Sequence, residues 1–284
     1  MSEKPKSPIN NVEYLSYKTD STPSMTSYNC SQIGQVTNEF VTTKLGFSMF
    51  IHPIEEDIWV SGSIKNQGVW EYSQANQLES LLSEYPNSVL VDIGANIGMM
   101  TNIALSRNRQ VIAFEPLKKN FKLICATANT NGWNSKLTLY NKALGSKNGI
   151  VSFNLNNDNQ GGTSVFEKNT QGVENVDFAE EKTLDSFDIA GKEILLKIDI
   201  EGFECNLFNG VEEFFSKNKV QFIWIEWVTM KDTLGCEEKI SGFLEERGFK
   251  AYKASDGQPV QVLVLNNQQT FSYLYRILYG KKVF

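Results

Sequence analysis

This sequence predicts an α/β fold, a mostly parallel sheet with helices on both faces, and three observations carry that prediction. SVLVDIGANIGMM, Ser88 to Met100, is a β-branched run that ends in a glycine turn and passes into a helix-compatible segment. VIAFEP, Val111 to Pro116, is a second apolar run closing on an acid. Beyond it, short apolar runs keep alternating with helix-period stretches almost to the end of the chain, the pattern of a parallel sheet wound with helices.

The first two segments make a β-α-β unit of the kind that holds a nucleoside-bearing cofactor. Glu115 ends the second strand about 20 residues after the turn, where a carboxylate accepts hydrogen bonds from both ribose hydroxyls. A dinucleotide site needs GxGxxG, whose later glycines let the backbone approach a pyrophosphate and let helix and strand pack closely. Aligned on Gly94, those positions hold Asn96 and Met99, so a nicotinamide oxidoreductase is opposed. S-adenosylmethionine carries a sulfonium, an ammonium and a carboxylate but no phosphate, and the turn from Asp92 through Gly94, Asn96 and Gly98 suits it better. Asp92 is expected to face the amino group, and the amides from Gly94 to Gly98 to donate to the cofactor carboxylate.

Composition bounds the remaining possibilities. The 284 residues, 41% of them hydrophobic, can bury a substantial core. A formal net charge of −6 without any Lys/Arg block gives no support to a nucleic-acid partner. Cys30, Cys125, Cys205 and Cys236 show no CxxC spacing, so neither a disulfide framework nor a zinc site is expected, and reduced, packed thiols are. No run reaches the roughly 20 apolar residues of a membrane span, and the first residues lack a signal-peptide core. A soluble, cytoplasmic protein is the resulting expectation, with oligomeric state open.

In chain order, residues 1–45 are polar, without sustained periodicity, and read as a tail or a surface-wrapping arm ahead of a domain over 46–284. GFSMFIHPIEEDIWVSG suggests a hairpin or pair of strands, and NQGVWEYSQANQLESLLSEY a turn leading into an amphipathic helix. After Glu115, LKKNFKLICATANTNG has helical spacing with a glycine stop, and LTLYNKALG is a strand ending in a turn at Asn141, whose place at a carboxyl strand end makes it a candidate cofactor contact. The segment from Ser146 to Lys182 is too long for an ordinary connection and reads as an insertion, with IVSFNL as an added strand and NQGGTS as a polar loop over the site. EILLKIDIEGFE is a buried strand entering a helix, VEEFFSKN a helix, VQFIWIEW a fifth strand, KISGFLEERG a helix, and KAYKAS and VQVLVLN two closing strands. Seven strands with alternating helices and one antiparallel edge strand is the Rossmann-like class I methyltransferase architecture.

DIGANIG, FEP, the GGTS loop, KTLD, and LKIDIEGFE followed by LFNG resemble the FkbM family of methyltransferases, in order, over roughly residues 46 to 265. The resemblance implies methyl transfer from S-adenosylmethionine, most often to a hydroxyl of a sugar or polyketide-type natural product, with amide nitrogen as another acceptor. By position it assigns Asp92, Gly94, Asn96, Gly98 and Glu115 to the cofactor, and Asp199, Glu201, Gly202 and Glu204 to the signature of the fourth strand. On resemblance alone, Thr163 and Ser164 of the GGTS loop stand near the acceptor.

Methyl transfer from a sulfonium is an in-line displacement, so the protein aligns the acceptor and excludes water. A hydroxyl acceptor also needs a base. Asp199, at the exposed end of a buried strand, is the first candidate and Glu201 the second, while Glu204 reads as a helix cap. Glu226 joins them at one sheet end, and no spacing among these acids demands a metal. Trp70 and Glu71 suggest a lid of flat apolar wall and hydrogen-bonding acid. Trp224 and Trp227 read as core or as a sugar-stacking face. His52, the only histidine, sits between Ile51 and Pro53 with no evident partner and reads as structural or surface. The other class of reading is a non-catalytic scaffold or binding protein that keeps the fold.

Overall fold

The computed structural model describes residues 27–154, 165–166, 176–226, 235–253 and 261–266. In chain order the elements are β1 (Glu39–Thr42), β2 (Ser48–Ile51), α1 (Val60–Gln67), α2 (Tyr72–Glu84), β3 (Val89–Ile93), α3 (Met99–Ser106), β4 (Val111–Phe114) and α4 (Lys118–Asn131). They continue as β5 (Leu137–Tyr140), β6 (Ala143–Leu144), β7 (Gly149–Asn154), β8 (Val165–Phe166), β9 (Val176–Lys182) and β10 (Glu193–Ile198). The last are α5 (Glu204–Leu207), α6 (Glu212–Lys217), β11 (Lys219–Glu226), α7 (Cys236–Glu246), β12 (Phe249–Lys253) and β13 (Gln261–Asn266).

Seven strands form the central sheet in the order β12-β13-β11-β10-β3-β4-β5. The five from β11 to β5 are parallel, and β13 alone runs against its neighbours. β13 is not the edge strand expected from the sequence: it lies inside, between β11 and β12, because the closing pair folds back as an antiparallel unit. The parallel strands read as unbroken apolar runs because both of their faces are covered. Leu90, Leu195 and Phe222 pack with Leu78 of α2, Ile103 of α3 and Ile124 of α4. Their neighbours Val91, Leu196 and Ile223 pack on the other side with Leu207 of α5, Phe214 of α6 and Ile240 of α7.

Residues 28–45 form an arm that grips the domain rather than a free tail. Tyr28 N–H donates to the Leu139 carbonyl on edge strand β5, and Asn129 of α4 donates to the Cys30 carbonyl at 2.7 Å. The expected hairpin exists, but β2 pairs backward with β1, so its second strand precedes residue 46. It docks on α4 through Phe50 N–H to Thr127 Oγ1 and Asn131 Nδ2 to the Ser48 carbonyl. Residues after Asp57 become α1 instead of a strand, because the buried Asp57 carboxylate accepts from Val60 N–H, Ser61 N–H and Ser61 Oγ and satisfies the helix start.

The insertion supplies β7 as expected and, with β6, β8 and β9, a separate sheet in the order β6-β9-β7-β8. Val151, Phe153 and Ala179 of this sheet pack with Phe203, which follows the fourth-strand signature. The KTLD and LFNG motifs meet face to face. Asp185 Oδ1 accepts from Phe214 N–H at 2.7 Å, and a Cβ at Gly210 would stand 2.6 Å from Thr183 Cβ.

The expectation of reduced thiols is overturned. Cys30 pairs with Cys125 and Cys205 with Cys236, leaving no free cysteine. Partners 95 and 31 residues apart meet only through tertiary structure, so local spacing carried no signal. Disulfides are rare in cytosolic proteins, so the two pairs give no support to a cytoplasmic location. No helix among the described residues is long and apolar enough to cross a membrane. Thiol titration of the denatured, unreduced protein is expected to find none of the four thiols free, and reduction to cost about 2 to 4 kcal/mol per bridge in denaturant unfolding. Four titratable thiols would refute the pairing.

Candidate active site

The site follows from strand register. In the sheet Lys197 pairs with Asp92 on one side and Trp224 on the other. Side chains alternate along a strand, so Asp92, Lys197, Asp199, Trp224 and Glu226 share the face turned toward α2, at the carboxyl ends of their strands. Gly94 joins the two central loops. Its φ is 78°, and a Cβ there would lie 1.8 Å from the Asp199 carbonyl oxygen, so only glycine lets the backbones touch.

Lys197, which the sequence reading passed over, is the hub. Its Nζ donates to the Gly94 carbonyl at 2.6 Å and lies 3.3 Å from Asp199 Oδ2 and 3.6 Å from Asp92 Oδ1. Burial alone would lower its pKa, but Asp199, Asp92 and Glu71 outweigh burial and raise it. Asp92 is fully buried; Oδ2 accepts from Thr101 Oγ1, and Oδ1 has no hydrogen-bond partner among the described residues. Glu71 caps α2 from a left-handed conformation, φ 50°, and burial with the charges of Asp199 and Asp92 pushes its pKa to about 7.

Two clefts meet at Glu71, Lys197 and Asp199. One is completed by Trp70, Asp92, Asn96 and Met99, the other by Gln74, Trp224 and Glu226. Glu71 thus stands at both clefts and Trp70 at the first. Trp224 is core: it is buried and donates to Gln77 Oε1.

The glycine turn differs from the expected amide cradle. Gly94 and Ala95 N–H donate to the Phe114 carbonyl, Gly98 N–H to the Ala95 carbonyl, and Asn96 N–H to Glu115 Oε2 at 2.8 Å. Those four amides hold the loop itself, which needs them because Asn96, like Gly94 and Gly98, has positive φ. Glu115 is 3% exposed and turned into this loop; Oε1 accepts from Leu117 N–H at 2.9 Å. Burial, opposed by these bonds, raises its pKa to about 8. Asn141 donates to the carbonyls of Glu115 and Pro116 and so fixes the end of β4 rather than lining either cleft.

Beyond β10, Glu201 has a φ of 54°, a sterically costly conformation for a side-chain-bearing residue. Oxygen atoms of Asp199, Glu201 and Glu226 lie within 4.8 Å of one another. Burial and the Asp199 charge push the Glu201 carboxyl to about 7, and burial with Asp199 and Glu201 pushes Glu226 to about 10, with a hydrogen bond to Asp199 adding to the rise. Glu204 is buried, and its Oε1 accepts from Ile200 and Gly202 N–H of the preceding turn rather than from amides of α5, so it braces that turn instead of capping the helix as the sequence suggested. Thr163, Ser164 and Trp227 lie outside the described residues. His52 is not a surface residue: it is 4% exposed and bonded to Asn120.

Two outcomes follow from this charge balance. Lys197→Met leaves buried Asp92 without its cation and is expected to lower unfolding free energy by about 3 to 5 kcal/mol; a loss under about 1 kcal/mol in denaturant unfolding would contradict the hub role. Glu71, Glu115, Glu201, Glu204 and Glu226 all bind their protons more tightly folded than unfolded. The stability they contribute is complete below pH 4.5, their ordinary value, and is lost as pH rises through about 7 to about 10. Melting temperature is expected to fall from about pH 6 to about pH 9, less steeply in Glu226→Gln; equal slopes would contradict the raised Glu226 pKa.

No curated protein matches this sequence. Among solved structures, methyltransferase FkbM from Methylobacillus flagellatus KT is 16% identical with a TM-score of 0.45, the alignment covering 63% of this chain and 43% of that one. Precorrin-6y C5,15-methyltransferase from Geobacter metallireducens GS-15 is 15% identical, TM-score 0.37, covering 66% of this chain and 85% of its own. The N-terminal domain of human METTL16, in complex with SAH, is 9% identical, TM-score 0.39, with 68% of each chain covered. The chain therefore spans less than half the length of the FkbM structure it resembles. The model of the methyltransferase FkbM domain matches residues 92–251, more than half of the sequence and all of the strand ends that build the site, and the chain belongs to that family.

Proposed function

We propose that this protein methylates a hydroxyl group of a sugar, glycan or small natural product, using S-adenosylmethionine. The observation that carries the reading is the junction of two clefts at Glu71, Lys197 and Asp199, one beside the glycine loop and one beside Glu226. The residues of the first cleft suit the cofactor. Asp92 Oδ1 is a buried acceptor lacking a hydrogen-bond partner among the described residues, which suits an ammonium, and behind the cleft Glu115 Oε2 keeps a lone pair beside the one that takes Asn96 N–H, which suits a ribose hydroxyl. When bound, the cofactor supplies an electrophilic methyl on a sulfonium.

The chain's own residues do the rest. Lys197 holds the Gly94 carbonyl and Asp199 together, fixing the cofactor loop relative to the acceptor side. Glu226, with its carboxyl near 10, keeps its proton at neutral pH and hydrogen-bonds Asp199. Asp199 is then the group that takes the acceptor hydroxyl proton, and Glu201, near 7, is the second candidate. An alcohol demands such a base at neutral pH, and the carboxylate-rich acceptor side supplies one.

Calorimetric titration with S-adenosylmethionine, its demethylated product and NAD tests the cofactor, and hydroxylated acceptors are then screened for turnover. Micromolar binding of the first two, weakened in Glu115→Ala, is expected, and Asp199→Asn is expected to lower turnover by about 100-fold or more. Binding of NAD alone, or of nothing, would remove the methyltransferase reading; full turnover by Asp199→Asn would remove Asp199 as the base.

A further inference from the structure

We propose that His52, a residue outside the family domain, is a positioning residue for the cofactor loop, acting through Asn120 on Asn96 and Glu115. The inference rests on the methyltransferase reading for its consequence, but its geometry stands independently. His52 follows β2, and its ring Nε2 lies 2.7 Å from Asn120 Oδ1. Asn120, 2% exposed in the first turn of α4, directs Nδ2 toward Asn96 Oδ1 at 3.3 Å and Glu115 Oε1 at 3.4 Å. Those two acceptors set the orientation of the Asn120 amide, because the opposite one would turn its carbonyl against the Asn96 side-chain carbonyl and against Glu115 Oε1, an oxygen that already accepts from Leu117 N–H. Oδ1 therefore faces His52, and Nε2 carries the proton.

The chain of bonds continues behind the ring. His52 N–H donates to Ser61 Oγ at 3.1 Å, and Ser61 Oγ donates to Asp57 Oδ2 at 2.6 Å. Asp57 and Ser61 are fully buried, so solvent does not compete for these bonds. A continuous polar path thus runs from the start of α1, through the hairpin, to the residue whose amide and side chain shape the glycine turn. Without Nε2–H, Asn120 can swing, and its two long bonds to Asn96 and Glu115 are lost first. Asn96 sits at a φ of 53°, so it depends on such bonds to stay in place. The part of the chain that precedes residue 92 is then a working component of the cofactor site, not only its cover.

The test compares His52→Ala, His52→Gln and Asn38→Ala. Asn38 donates to the Ile51 carbonyl, so its variant loosens the same hairpin without touching the Asn120 path. Calorimetry with S-adenosylmethionine is expected to show binding weakened roughly ten-fold in His52→Ala, restored to within about three-fold in His52→Gln, whose amide can donate, and changed by less than about two-fold in Asn38→Ala. Amide exchange of Asn96 in the ligand-free protein is expected to quicken in His52→Ala alone. Equal weakening by His52→Ala and Asn38→Ala would overturn the proposal, since general loosening of the hairpin would explain both. So would unchanged Asn96 exchange in His52→Ala. If the unaltered protein binds no S-adenosylmethionine, the methyltransferase reading fails while the exchange measurement still decides the role of His52.

Discussion

A single buried ammonium holds the carboxyl end of this sheet together. Asp92, Asp199 and Glu71 converge on Lys197, and three acids packed so closely repel one another unless a cation stands among them. The same Nζ also takes the Gly94 carbonyl, so one group neutralises charge and sets the spacing of two loops. Desolvating a lysine is costly, and the cost is offset because the Gly94 carbonyl and the Asp92 and Asp199 carboxylates stand around its Nζ. The distribution of protons over the surrounding carboxyls follows from this arrangement, since one cation cannot balance every acid around it.

The fold was legible wherever a pattern repeats within a few residues. The apolar runs of Val89–Ile93 and Glu193–Ile198, the glycine stop after α4 and the acid closing β4 are local signals, and each placed its element. Asp199, Glu201 and Glu226 were legible as one sheet end because strand ends in a parallel sheet share a side. What escaped the sequence is what two distant segments do to each other. Lys197 reads as one polar residue in an apolar strand, and only the register with Asp92 reveals its partner. The Cys30–Cys125 pair joins an arm to a helix 95 residues later, and His52 finds Asn120 only after the hairpin docks on α4. The glycine turn was legible as a turn, but the destination of its amides was not, because Phe114 and Glu115 accept from it only once β3 and β4 are adjacent.

The N-terminal arm and the insertion brace the site from two directions. The arm and hairpin clamp α4 through Cys30, Phe50 and Ser48, and α4 carries Asn120. On the opposite side, Phe203 packs with Val151, Phe153 and Ala179 of the insertion sheet, and Phe203 follows Glu201 by two residues. Glu71, Asn96 and Glu201 hold left-handed backbone conformations around one site, which costs energy in each case. Surrounding packing of this kind is what keeps such conformations populated.

The contact between Gly94 and the carbonyl of Asp199 bears on how such a protein can diversify. Two backbones in direct touch leave no side chain between them to absorb a change, so the glycine turn and the acidic turn behave as one heritable module. Loops grafted from a relative would have to be exchanged as that pair, while the insertion between β5 and β10 meets the acidic turn through side chains such as Phe203 and can vary so long as that packing is kept.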